Sequence, residues 1–283
     1  MMTDFNMLAV DYHDVNAGEK FTQSLHETGF AVLKNHPIAQ TQIEDMYRLW
    51  GDFFASDEKH DYLFDPEVYD GYFPFQSENA KGAKAKDLKE FYHIYPHGRL
   101  PQFVEATSRA FYQELVTLGR EMLCWIEDNS PSDIKAKYSI SLPDMIKDSM
   151  QNLLRILYYP ALEGQKIEAG AVRAAAHEDI NLITLLVAGS ESGLEAQDRY
   201  GNWHKVPCDQ GMIAVNIGDM LQKASDGYFP STTHRVINPE GDHSAKPRYS
   251  MPMFIHPRPE VMLDATYSAK AYLDERLAEI GLK

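Results

Sequence analysis

From residue 153 to residue 255 the chain is a succession of short apolar runs, each closed by turn-forming residues. Leu153–Tyr159 ends at Pro160, and Ile183–Val187, Gly193–Gln197, Trp203–Val206, Met212–Ile217, His234–Ile237 and Arg248–Ile255 follow. Runs this short and this closely spaced predict the strands of a sandwich or barrel.

The region before residue 150 reads differently. Phe21 and Leu25 give Gly18–Thr28 a helical spacing that stops at Gly29, and Phe30–Leu33 then reads as a strand closed by Asn35-His36-Pro37. Ile43, Met46, Tyr47, Trp50, Phe53 and Phe54 line one face of a second helix. A third is predicted from Pro101, as its first helical residue, to Asp128, with Phe103, Phe111, Leu115, Leu118, Met122 and Trp125 on one face. Asp65–Leu100 reads as irregular, with a solvated basic patch at Lys81–Lys89. Thr266–Ile280 closes the chain as a helix. One domain is expected over 1–283: a helical and mixed region (1–150), a β-core (151–258) and a C-terminal helix (259–283).

The 283 residues can bury a sizeable core. A formal net charge of −15 disfavours nucleic acid and anionic membrane surfaces as partners. No signal peptide is evident, and no apolar stretch reaches the length of about 18 residues that a membrane span needs. Cys124 and Cys208 form no C-x-x-C motif. These features point to a reducing, cytoplasmic setting. Oligomeric state is left open.

His177 and Asp179 stand two apart, so on a strand they share a face and can hold one metal. His234, on a later strand, supplies a third ligand. Two imidazoles and a carboxylate make the facial triad of non-haem Fe(II) oxygenases, which leaves coordination positions open for a bidentate cosubstrate and O₂. Arg248 and Ser250 also share a strand face, where a guanidinium and a hydroxyl can clamp a carboxylate. His93 and His97, four apart around Pro96, lack a carboxylate to complete a second metal site.

The ordered set Gly29-Phe30, Asn35-His36-Pro37-Ile38, Phe53-Phe54, Lys89-Glu90-Phe91, Leu154–Pro160, His177-Glu178-Asp179, Asn216–Gln222, Ser231–Val236 and Arg248-Tyr249-Ser250 resembles the isopenicillin N synthase-like 2-oxoglutarate/Fe(II)-dependent oxygenases over nearly the whole length. The resemblance implies a mostly β fold with flanking helices, in which a double-stranded β-helix, or jelly roll, forms the core. It implies Fe(II) on His177, Asp179 and His234. It further implies 2-oxoglutarate on Arg248, Ser250 and Tyr159, and oxidation of a small molecule by O₂ with release of succinate and CO₂. Many relatives carry Asn where this chain has Leu157.

For the substrate, the candidates are Arg173, placed near the barrel mouth on the His177 face, with Tyr72 and Phe91 from the aromatic stretches Tyr69–Phe75 and Phe91–Tyr95. Two alternatives share the fold: an Fe(II) oxidase that does not consume 2-oxoglutarate, and a non-catalytic small-molecule receptor. A hydrolytic zinc site is disfavoured by the carboxylate clamp.

Overall fold

Short runs between turn formers pair into two sheets. The computed structural model describes residues 5–77, 86–162, 172–189, 193–238 and 246–279. In chain order its strands are β1 (Ala9–Asp11), β2 (Phe30–Lys34), β3 (Gly71–Phe73), β4 (Glu90–Ile94), β5 (Leu153–Tyr159) and β6 (Ala174–His177). They continue as β7 (Ile183–Val187), β8 (Leu194–Gln197), β9 (Trp203–Lys205), β10 (Ile213–Ile217), β11 (His234–Val236) and β12 (Arg248–Ile255). The larger sheet has the order β1-β2-β10-β7-β12-β5-β4-β3, and the smaller β6-β11-β8-β9. This is a jelly roll with helices, as expected.

The helices are α1 (Ala17–Thr28), α2 (Gln40–Ala55), α3 (Gln102–Asp128), α4 (Ser132–Lys135), α5 (Leu142–Met145), α6 (Asp219–Ala224) and α7 (Ala269–Glu279). Gly29 ends α1 in the left-handed region, at φ 72°, where its amide bonds the Leu25 carbonyl. Apolar residues from α1, α2 and α3 pack on the outer face of the large sheet in one core that includes Phe21, Leu25, Trp50, Phe53, Leu115 and Met122.

Strand register decides which side chains reach the inside. Arg248 stands opposite Tyr159 and Ser250 opposite Leu157. Phe91 is opposite Leu157 and His93 opposite Arg155. Asn216 faces Thr184, which faces Phe254. Side chains alternate along a strand, so these residues share one face of the sheet. On the same face Phe30, Val32 and Ala214 pack against Ala174, Leu194, Ala196 and Val236 of the small sheet. It is therefore the inner face of the roll.

Several expectations need correction. Asp65–Leu100 is not wholly irregular: β3 and β4 extend the large sheet within it. The run Glu90–Ile94 is buried at every position, so it lacks the alternation that marks a strand with one wet face. Pro101 is the N-cap of α3 rather than its first helical residue. Phe103 is exposed while Val104 enters the core, because the buried positions Val104, Ser108, Phe111, Leu115, Leu118 and Met122 form a stripe of helical period that leaves residue 103 to one side. Within Lys81–Lys89, residues 81–85 lie outside the described residues. Lys89 is buried rather than solvated, with its Nζ 2.8 Å from Asp87. Ile280 also lies outside the described residues.

Candidate metal centre

The site grows from the seam where the small sheet meets the inner face. β6 pairs antiparallel with β11, and the register sets His177 directly opposite His234. The two imidazole centres are 4.4 Å apart. β6 ends at His177, so Asp179 stands in the turn beyond it rather than on the strand. The turn still delivers its carboxylate: Asp179 Oδ1 is 3.8 Å from Nε2 of each histidine. Among the described residues, His177, Asp179 and His234 form a group able to hold a metal ion, with ligand atoms within 4.8 Å of one another.

Each ligand is held by a second contact. His177 Nδ1 lies 2.8 Å from the Ala175 carbonyl, and His234 Nδ1 lies 3.0 Å from the Thr232 carbonyl. A carbonyl only accepts, so both Nδ1 atoms carry the proton and both Nε2 lone pairs face Asp179. Asp179 Oδ2 accepts from Thr184 Oγ1 at 2.6 Å and from Asn216 Nδ2 at 2.8 Å. Those donors occupy one carboxylate oxygen and leave Oδ1 for a cation. The donor set, two imidazole nitrogens and one carboxylate oxygen, fits Fe(II).

Electrostatics agree with that ligand state. Burial in the cleft and the neighbouring His234 push His177 down to about 4, against the pull of Asp179, although the ring edge reaches solvent. Burial would raise the Asp179 carboxyl, but His234, His177, Asn216 and Thr184 outweigh it and hold it below its ordinary value. At neutral pH the ring and the carboxylate are thus already in the forms that bind a metal.

The turn is fixed by close packing. The Gly218 amide bonds the Leu182 carbonyl at 2.9 Å, and the Asp219 amide bonds the Asp179 carbonyl at 2.7 Å. A Cβ on Gly218 would collide with the backbone and side-chain oxygens of Asn181, so only glycine lets the two segments meet. Asn216→Ala removes one of the two bonds that orient Asp179. It is expected to weaken Fe(II) binding about 10- to 100-fold, read by competition with a chelator. Unchanged affinity would deny Asn216 an orienting role.

Deeper in the roll Arg248, Ser250 and Tyr159 are all buried on the inner face. The Arg248 guanidinium carbon lies 5.2 Å from the centre of the Tyr159 ring. The structure therefore brings together the three residues expected to hold the cosubstrate.

Two substrate candidates fall elsewhere. Arg173 is not at the mouth: it is fully buried, donates to the Lys246 carbonyl at 3.2 Å and lies 5.8 Å from the Tyr159 ring. It directly precedes β6, four residues before His177. Tyr72 is on the outer face. It packs against Phe53 and Phe54, and its hydroxyl donates to Glu90. Phe91 is on the inner face but fully buried, so it backs other residues.

Residues that spacing did not single out are Thr184 and Asn216, whereas His256 is expected from the sequence near the pocket rim. Asn216 is a polar residue inside the apolar run Ile213–Ile217, and that interruption was the available signal. His256 follows β12, and burial pushes it down to about 4 against the pull of Asp179.

A model of the 2OG-Fe(II) oxygenase superfamily matches residues 150–257. A model of the N-terminal region of the non-haem dioxygenases of morphine synthesis matches residues 3–113. The 2-oxoglutarate-dependent dioxygenase 11 of Oryza sativa subsp. japonica is 30% identical over 263 residues, covering 87% of this chain and 71% of its own. The chain belongs to the 2OG-Fe(II) oxygenase superfamily. A crystal structure from Shewanella oneidensis, provisionally assigned as an oxygenase, superposes with a TM-score of 0.90 at 50% identity, covering 98% of this chain and all of that one. A full-length Neurospora crassa protein, solved in complex with alpha-KG, gives a TM-score of 0.79 at 26% identity, covering 96% of this chain and 95% of its own. This superfamily member is accordingly a non-haem Fe(II)/2-oxoglutarate-dependent dioxygenase, with Fe(II) and 2-oxoglutarate as cofactors.

Proposed function

We propose that the enzyme oxidises a small organic molecule with O₂, with His177, Asp179 and His234 holding Fe(II) and Arg248, Ser250 and Tyr159 holding 2-oxoglutarate. The observation that carries this reading is the pair of Nδ1–carbonyl contacts together with the occupied Asp179 Oδ2. They aim three ligand atoms at one point.

The overall balance is substrate C–H plus O₂ plus 2-oxoglutarate giving the alcohol, succinate and CO₂. Bound Fe(II) supplies the redox chemistry that couples the decarboxylation to oxidation of the substrate. The chain's own residues bind and orient. Arg248 offers a planar fork and Ser250 a hydroxyl to the far carboxylate of the cosubstrate, on a strand face closed to water. Leu157, beside Ser250, makes that wall apolar. The contacts described above hold His177 neutral and the Asp179 carboxylate anionic.

We further propose that the chain acts as one unit, because β1–β4 and the later strands share one sheet. Among the described residues no helix is long and apolar enough to cross a membrane. Cys124 and Cys208 are free thiols, which supports a cytoplasmic setting. The acidic charge supports a small-molecule partner over nucleic acid.

Incubation with Fe(II), ascorbate and 2-oxoglutarate labelled at C1 tests the reading against the oxidase and receptor alternatives. Labelled CO₂ released in step with succinate is the expected result. Release no greater than in metal-free controls would overturn it.

A further inference from the structure

Asn181 stands in the turn between β6 and β7, two residues beyond Asp179, and is wholly buried. Its side-chain nitrogen, Nδ2, donates to the Ile183 carbonyl at 3.0 Å and to Thr184 Oγ1 at 2.9 Å. A carbonyl only accepts, so the amide cannot be turned round: its nitrogen faces Ile183 and Thr184. The Thr184 hydroxyl has a single proton. With Asn181 donating to its oxygen, that proton goes to Asp179 Oδ2, 2.6 Å away. The chain of hydrogen bonds therefore has one direction, from Asn181 through Thr184 to the carboxylate. Asn216 joins it at the same oxygen.

The other end of the amide gains nothing comparable. Asn181 Oδ1 is buried and accepts no hydrogen bond among the described residues. The backbone of Gly218 presses on it so closely that a Cβ there would collide with it. A buried acceptor left unpaired is a cost that a leucine of similar size would not carry. As packing alone the amide is thus a poor choice, and what offsets that cost lies at its nitrogen. Donation to Thr184 Oγ1 polarises the hydroxyl and strengthens the bond that the hydroxyl makes in turn. It also keeps the proton from rotating to another acceptor.

We propose that Asn181 is a positioning residue of the metal centre, acting through the Thr184 hydroxyl to hold Asp179 Oδ2 in place so that Oδ1 faces the cation. Asn181 touches neither the cation nor the cosubstrate. Its influence passes along one hydroxyl, and the contacts that orient a ligand set how well the ligand binds its metal. The assignment rests on the reading of Asp179 as an iron ligand given above.

A double-mutant cycle on Fe(II) affinity tests it. The full chain is made metal-free, kept anaerobic and titrated with Fe(II) against a competing chelator. Thr184→Val, which removes the hydroxyl, is expected to weaken binding about 10- to 100-fold. Asn181→Leu, which removes only the donor behind it, is expected to weaken binding about three- to tenfold, the factor for one neutral hydrogen bond. In the Thr184→Val background the same Asn181→Leu change should alter the affinity by less than about twofold, because the path to Asp179 is already cut. A residue that merely shapes the turn would cost the same in both backgrounds. Asn181→Ala is carried through the same cycle, and the coupling is read in whichever variant folds. An effect of equal size in both backgrounds, or an affinity within twofold of the parent in the single Asn181 variants, overturns the positioning role and leaves the ligand assignment intact. An unsubstituted protein that binds no Fe(II) overturns both.

Discussion

Asp179→Asn is expected to abolish Fe(II) retention while leaving the fold nearly as stable as before. The two substitutions at this position separate ligation from packing. Thr184 Oγ1 and Asn216 Nδ2 both donate to Asp179 Oδ2. An asparagine oxygen can accept both bonds, which turns the amide NH₂ toward the histidines where a lone pair is needed. The variant therefore keeps the local network and loses the ligand. Asp179→Ala removes both. It leaves a buried hydroxyl and a buried amide without their acceptor, at about 1–3 kcal/mol for each group. Both variants should lose 2-oxoglutarate turnover by about a thousandfold or more, since a metal contributes several kcal/mol of transition-state stabilisation. Only the alanine variant should show a clearly lower midpoint of thermal unfolding. Metal analysis after anaerobic gel filtration, run beside calorimetry, checks both arms. Full iron content in Asp179→Asn would remove the residue from the ligand set.

Arg248→Ala should raise the dissociation constant for 2-oxoglutarate by roughly thirtyfold to several thousandfold, the range for truncating one partner of a buried charged pair at about 2–5 kcal/mol. Fe(II) affinity should hardly change, because Arg248 stands at the Tyr159 end of the inner face and the metal ligands at the β6–β11 seam. Arg248→Lys keeps the charge but loses the planar fork. A Lys variant nearer to the parent than to the Ala variant would assign the effect to charge rather than to bidentate geometry. The environment is demanding: a Cβ on Gly189 would lie only 3.0 Å from the guanidinium carbon of Arg248. Anaerobic titration of the Fe(II)-loaded variants with 2-oxoglutarate gives the constants. An affinity within twofold of the parent in Arg248→Ala would contradict the clamp.

Legibility in the sequence followed how local each signal was. Leu153–Tyr159, Ile183–Val187 and Arg248–Ile255 were bounded correctly because turn formers flank them on both sides. β3 and β4 were missed because Glu90–Ile94 is buried throughout. Its polar members are satisfied by partners far along the chain, such as Lys59 for Glu90 at 3.0 Å. The triad was readable from residue types and spacing, yet its premise was partly mistaken. Asp179 is presented by a turn locked at Gly218 and Asp219, not by strand alternation. Tyr72 and Arg173 went wrong for one reason. Whether an aromatic or a cation faces the cleft depends on sheet parity and depth, and both are set by pairing with distant strands. Arg155 illustrates the converse. In the sequence it is one member of a family-like stretch, and only the register against β4 places it beside His93 and Phe91.

The central claim is that His177, Asp179 and His234 hold one Fe(II) that accepts 2-oxoglutarate. Anaerobic titration of the metal-free protein with Fe(II), followed by 2-oxoglutarate and monitored in the visible, tests it most directly. The expected result is an absorption band that needs both additions, saturates at one iron per chain and is missing in Asp179→Asn. A band of equal strength in that variant, or one iron bound per chain with no band on adding 2-oxoglutarate, would contradict the account.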